Sequence, residues 1–179
     1  MILRKWVFRS CFLLIGVLPT WSFAQEKDCA CCDTSYSDFD FWVGEWIVKN
    51  SKGEIVGKNT IRKLEDNCLI SETWTGVNDS SGRSYNYYDR KKATWNQLWI
   101  SNTGNVLKLE GKLENGKMVL TGPVESGAKG TYRNQIIWTP KNDGTVTQEW
   151  VIMTNEDKDK ERLFYGIYYP VKDELEIKE

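Results

Sequence analysis

From Gly44 onward the chain alternates apolar and polar residues with a period of two. Runs rich in β-branched and aromatic residues recur about every 8–12 residues, each closed by a turn signal, which is the spacing of a β-sandwich or barrel. The runs predict ten strands, over residues 45–49, 58–64, 69–77, 84–89, 94–101, 106–114, 117–123, 132–139, 145–154 and 162–169. The breaks between them carry turn chemistry. Asn50-Ser-Lys-Gly53, Asp79-Ser-Ser-Gly82, Asn102-Thr-Gly104 and Asn142-Asp-Gly144 hold residues that accept positive φ, and Asn115-Gly116 is a two-residue hairpin signal. Residues 125–130 read as a flexible loop and 155–160 as a solvated, charged one. Ahead of the strands, residues 36–42 predict one short helical turn with Phe39 and Trp42 on the same side at i, i+3 spacing.

No helical pattern long enough to compete follows Trp42, and the sequence has neither an internal repeat nor a domain linker. The expected fold is all-β. Consecutive hairpins favour an up-and-down antiparallel sheet, and closing it into a barrel of about ten strands removes the exposed edges. A barrel of that size has room for one small ligand. A two-sheet sandwich with a filled core is the competing architecture.

Composition then divides the chain. Residues 1–24 have the layout of a cleavable export signal: Arg4, Lys5 and Arg9 form a basic start, residues 11–18 an apolar core, and Ser22 and Ala24 stand at the positions a signal peptidase inspects. The apolar run falls well short of the roughly 20 residues of a membrane-spanning helix, so cleavage is expected to leave no span. Behind the leader come a cysteine-bearing segment (25–38), the barrel (39–170) and a charged tail (171–179). The location this implies is periplasmic or secreted. The full chain has 24 Lys/Arg against 25 Asp/Glu, and losing the leader moves the net charge from −1 to about −4. These charges are scattered, with no basic stripe to meet phosphate backbones, so nucleic acid is not an expected partner. The expected state is a monomer or weak dimer.

Histidine is absent, which excludes Ser-His-Asp and Cys-His catalysis, histidine-ligated zinc and histidine-bound haem. No cofactor is expected. Cys29, Cys31, Cys32 and Cys68 lie beyond the leader, and an exported protein favours disulfides. Four cysteines allow three pairings. Adjacent Cys31 and Cys32 would close a strained ring if joined, so one of them is expected to reach Cys68 and pin the N-terminal segment to the barrel. A soft-metal site of four thiolates is the alternative reading of the C-x-C-C cluster.

The segment Gly44-Glu45-Trp46 places G-x-W just after a helical turn, at the start of the first strand. It resembles the opening of the lipocalin-like (calycin) barrels, where the tryptophan plugs the closed end. The wider run Phe39-Asp-Phe-Trp-Val-Gly-Glu-Trp46 joins Gly57-Lys-Asn-Thr-Ile61, Asp66-Asn-Cys-Leu-Ile-Ser-Glu-Thr-Trp-Thr-Gly76, Tyr88-Asp89, Trp95-Asn-Gln-Leu-Trp99, Trp138-Thr-Pro140 and Gln148-Glu-Trp150. Together these are similar to a bacterial family of exported domains of unknown function, over about residues 31 to 169. The resemblance implies a lipocalin-like or fatty-acid-binding-protein-like barrel with Gly44 and Trp46 in structural roles. It brings no settled activity, and fold alone does not license one. The family also tends to carry a cysteine pair before the aromatic opening and a cysteine in the third strand, which implies a tie between Cys31 or Cys32 and Cys68. Two departures stand out. The lipocalin-like barrels place a basic residue late in the last strand, stacked on the plug tryptophan, where this chain has Tyr168-Tyr169-Pro170; Arg162 and Lys172 are the remaining substitutes. The haem-binding barrels of similar shape use a histidine ligand, which this chain lacks.

Polar residues embedded in aromatic strands are the candidate chemistry. Glu72 and Trp74 share one strand face, as do Gln97 and Trp99, and Gln148 and Trp150. Facing inward, they would make an amphipathic pocket with flat apolar walls and a few placed hydrogen-bonding groups, and Asn86 and Tyr88 would line the same wall. Alternatively the tryptophans fill the barrel and the amides satisfy one another. Glu72 is the one ionisable member, and burial would raise its pKa as a general acid or base requires. No nucleophile motif, phosphate loop or second catalytic group accompanies it. Glu149 points to the opposite face from Trp150, and Asp38 and Asp40 read as capping or surface groups. The expectation is a binder of a small hydrophobic or amphipathic molecule, not an enzyme. An envelope interaction domain with a solid core and a carboxylate enzyme centred on Glu72 are the alternatives.

Overall fold

The computed structural model describes residues 29–171, except 129 and 155. The export signal, the start of the cysteine segment and the charged tail from residue 172 lie outside the described residues.

Strand formation follows the alternation. The described strands are β1 (Gly44–Lys49), β2 (Ile55–Leu64), β3 (Leu69–Gly76), β4 (Ser81–Asp89), β5 (Thr94–Ser101), β6 (Val106–Glu114), β7 (Lys117–Thr121), β8 (Glu125–Gly127), β9 (Gly130–Pro140), β10 (Val146–Thr154) and β11 (Asp159–Pro170). Each pairs antiparallel with the next, except that β7 passes to β9, and β11 returns to β1. Ten strands therefore close an up-and-down barrel, and the short β8 pairs with the start of β9 along the edge that β7 occupies further on. The closing contacts rule out the two-sheet sandwich. The hairpin signal holds: Asn115 and Gly116 turn at φ 50° and 75° between β6 and β7.

Several boundaries differ from expectation. The expected loop at 125–130 contains β8, whose Glu125 carboxylate accepts a 2.8 Å hydrogen bond from the Tyr132 hydroxyl across the hairpin. The loop at 155–160 is shorter than expected, because β11 already begins at Asp159. The seventh strand stops at Thr121, short of Pro123. The helical turn is two 3₁₀ segments, Thr34–Ser37 and Asp40–Trp42, and the second opens on Asp40, whose Oδ2 pairs with Lys63 Nζ at 2.9 Å.

One end of the barrel is filled. Phe39 sits at its centre, stacked on Trp42 at 4.9 Å and edge-on to Trp138 and Trp95 at 5.1 and 5.7 Å. All four rings are buried, along with Ile61, Ile70, Met118 and Val146. Trp46 is buried beside them and its indole N–H donates to the Trp42 carbonyl at 2.9 Å. Where the resemblance calls for a basic residue on that tryptophan, Tyr168 meets it edge-on at 6.2 Å. Arg162 is not the substitute: it pairs with Glu149 on the outer face near the opposite end. Lys172 lies outside the described residues.

Cys31 is joined to Cys68, in the turn between β2 and β3, and Cys29 to Cys32. The first bond staples the plug segment to the barrel. With all four sulfurs in disulfides, the four-thiolate reading gives way.

Candidate functional site

The three sequence pairs converge at the other end. Inward-facing positions on one strand lie about 6.7 Å apart, so each pair spans two levels of the interior. The polar member of each lies deeper and its tryptophan nearer the open end. Direct cross-strand register places Glu72 opposite Ser84 and Gln97 opposite Asn86. Two glycines make room for the rings. A Cβ on Gly57 would come within 2.6 Å of the Trp74 ring, and one on Gly82 would run into Trp99.

At the deeper level the polar groups form one hydrogen-bonded belt. Gln97 Nε2 donates to Asn86 Oδ1 at 2.9 Å, and Asn86 Nδ2 to Ser84 Oγ at 2.9 Å. The Ser84 hydroxyl donates to Glu72 Oε2 at 2.6 Å, and Asn59 Nδ2 to Glu72 Oε1 at 2.7 Å. The same Asn59 amide reaches the Tyr168 oxygen at 3.5 Å, and the Tyr168 hydroxyl donates to Gln148 Oε1. The belt thus runs through β5, β4, β3, β2, β11 and β10. Satisfying buried polar groups in this way avoids a cost of about 1–3 kcal/mol for each one left unpaired.

Above the belt lies a cavity of about 440 Å³. Trp74, Trp99 and Trp150 wall it, with Leu107, Ile136 and Phe164 between them and Val56, Ser80 and Leu163 also contributing. Trp150 is oriented by a 2.9 Å bond from its indole N–H to Asn134 Oδ1, and Trp74 meets Phe164 edge-on at 6.2 Å. Glu72, Gln97, Gln148 and Tyr168 form the polar floor. The Gln97 nitrogen and Gln148 oxygen are engaged in the belt, which leaves a carbonyl and an amide nitrogen for a guest.

Glu72 is 4% exposed, and burial pushes its carboxyl up to about 7 against the opposing pull of the Ser84 and Asn59 hydrogen bonds. Burial also raises the Tyr168 phenol well above its ordinary value, and the Glu72 charge raises it further.

Of the eight residues singled out in the sequence, six line this cavity: Glu72, Trp74, Gln97, Trp99, Gln148 and Trp150. Asn86 is one step removed, buried within the belt. Tyr88 is not part of the wall. It lies two residues beyond Asn86 towards the filled end, packed on Tyr36 at 5.3 Å and Trp95 at 6.2 Å. Sequence reasoning missed Asn59, Ser84 and Tyr168, although the polar Asn59 and Ser84 within alternating strands were an available signal. Among the described residues, no group of three or more Cys, Asp or Glu side chains is gathered to hold a metal. Among the same residues, no helix is long and apolar enough to cross a membrane. No family model matches the chain, and no curated protein matches it.

Proposed function

We propose that the protein is an exported barrel, periplasmic or secreted, that binds a small amphipathic molecule in its open end. The observation that carries this reading is the 440 Å³ cavity with tryptophan walls above a polar, hydrogen-bonded floor. That volume and that mixture of apolar wall with few polar groups are usual for small-molecule sites. The two disulfides agree with an oxidising compartment. The lipocalin-like resemblance of the FDFWxGEW opening agrees with an interior ligand. Glu72 is read here as an orienting group. Its direct partners are Asn59 and Ser84, both about 1% exposed, whose hydrogen bonds hold the carboxyl in place.

Tryptophan emission titrated with a panel of lipophiles is the test, because three indoles border the cavity. Saturable quenching or a blue shift is expected, and Trp99→Ala should weaken it. A flat response across alcohols, amines, acids and aryl compounds would overturn the reading in favour of an interaction domain.

A further inference from the structure

The charge inventory of the cavity is one-sided. Among the described residues, Glu72 is the only carboxyl that lines it, and no lysine or arginine does. Both Glu72 oxygens are held by neutral donors, Asn59 and Ser84, one bond to each. A carboxylate has about four acceptor positions, so two stay open. The groups brought towards Glu72 by the surrounding strands are Asn59 from β2, Ser84 from β4, Gln97 from β5, Gln148 from β10 and Tyr168 from β11. Tyr168 alone among them titrates, and it brings no positive charge.

A guest with an acid head would set a second carboxylate against Glu72 with no cation to separate them. A wholly apolar guest would seal the carboxyl from water and leave its charge unmatched, the costly arrangement for a buried ion. An ammonium head supplies the missing charge and up to three N–H donors. The faces of Trp74, Trp99 and Trp150 add attraction for a cation entering between them, and their apolar area suits an alkyl or aryl tail.

We propose that the open end of the barrel selects amphipathic amines, with the ammonium at Glu72 and the apolar tail among Trp74, Trp99 and Trp150. This assignment rests on reading the cavity as a ligand site, and its test separates the two. Decylamine, decanol and decanoate share a chain length and differ in the head. Each is titrated into the disulfide-intact protein, followed by tryptophan emission below its micelle concentration. At about pH 8, where Glu72 is ionised, decylamine binds at least about tenfold more tightly than decanol, the increment of one charge-assisted contact, and decanoate binds most weakly. Glu72→Gln brings the ratio of decylamine to decanol affinity down to about one. Acidifying the wild-type protein to about pH 5.5 protonates Glu72 and weakens decylamine binding while decanol holds.

Decanol or decanoate binding as tightly as decylamine overturns the amine assignment and leaves the ligand site standing. So does a preference for decylamine that survives Glu72→Gln. No binding by any of the three overturns both readings. If Glu72→Gln does not fold, the wild-type pH series decides alone, and decylamine affinity that fails to fall on acidification overturns the assignment.

Discussion

The two ends of this barrel use the same residue type and differ in what meets it. At the filled end, Trp42, Trp95 and Trp138 are fully buried around Phe39. At the open end, Trp74, Trp99 and Trp150 are only partly buried and wall a cavity. Both sets of strand tryptophans point inward for the same reason, the period-two alternation of their strands. What distinguishes the ends is a contribution from elsewhere in the chain. The segment carrying Phe39 and Trp42 enters one end and is stapled there through Cys31 and Cys68. Facing inward is thus a local property, whereas being filled depends on a distant element.

The largest expected effect sharpens that contrast. Trp42→Ala should cost about 3–5 kcal/mol in urea unfolding, because a fully enclosed ring leaves a cavity behind. Trp99→Ala should cost about 1–2 kcal/mol, since its ring already borders open space. Equal costs at the two ends would break the distinction.

Next come the staples. Cys31 and Cys68 are 37 residues apart, so replacing both by serine should cost about 3–4 kcal/mol through the unfolded chain. Cys29 and Cys32 are 3 apart, and the same replacement there should cost under about 2 kcal/mol. Denaturant midpoints of the two double variants compare them directly.

The smallest effect lies at the floor between the ends. The Glu72 carboxyl titrates at about 7 in the fold against 4.5 ordinarily, so the folded state holds the extra proton between those values. Stability should therefore fall as pH rises from about 4.5 to about 7 and level off above, by up to about 3 kcal/mol. Glu72→Gln should remove this slope and be the more stable protein at about pH 8. A slope that persists in the variant would locate its source in another group.

The barrel and much of its interior were legible in the sequence because alternation reports the face of a sheet. Glu72 with Trp74, Gln97 with Trp99 and Gln148 with Trp150 could each be placed inward on that basis. Alternation does not report height along the barrel axis. It therefore gives Tyr88 its face and not its end, which is the filled one. Nor does it report which distant strands meet. Asn59 and Tyr168 are 109 residues apart and join only because β1 lies between β2 and β11 in the closed ring. Cysteine counting limited the pairings, and only the fold singles out Cys31 over Cys32 as the partner of Cys68. Strand β8 escaped notice because its glycine-bearing hairpin has weak β-propensity.

A guest at the open end and none at the filled end is the central claim. Indole N–H resonances of the nitrogen-labelled protein, recorded with and without saturating decanol, test it residue by residue. The account predicts shifts for Trp74, Trp99 and Trp150, with Trp42, Trp46, Trp95 and Trp138 unmoved. Shifts of equal size at both ends, or none at the open end, would contradict it.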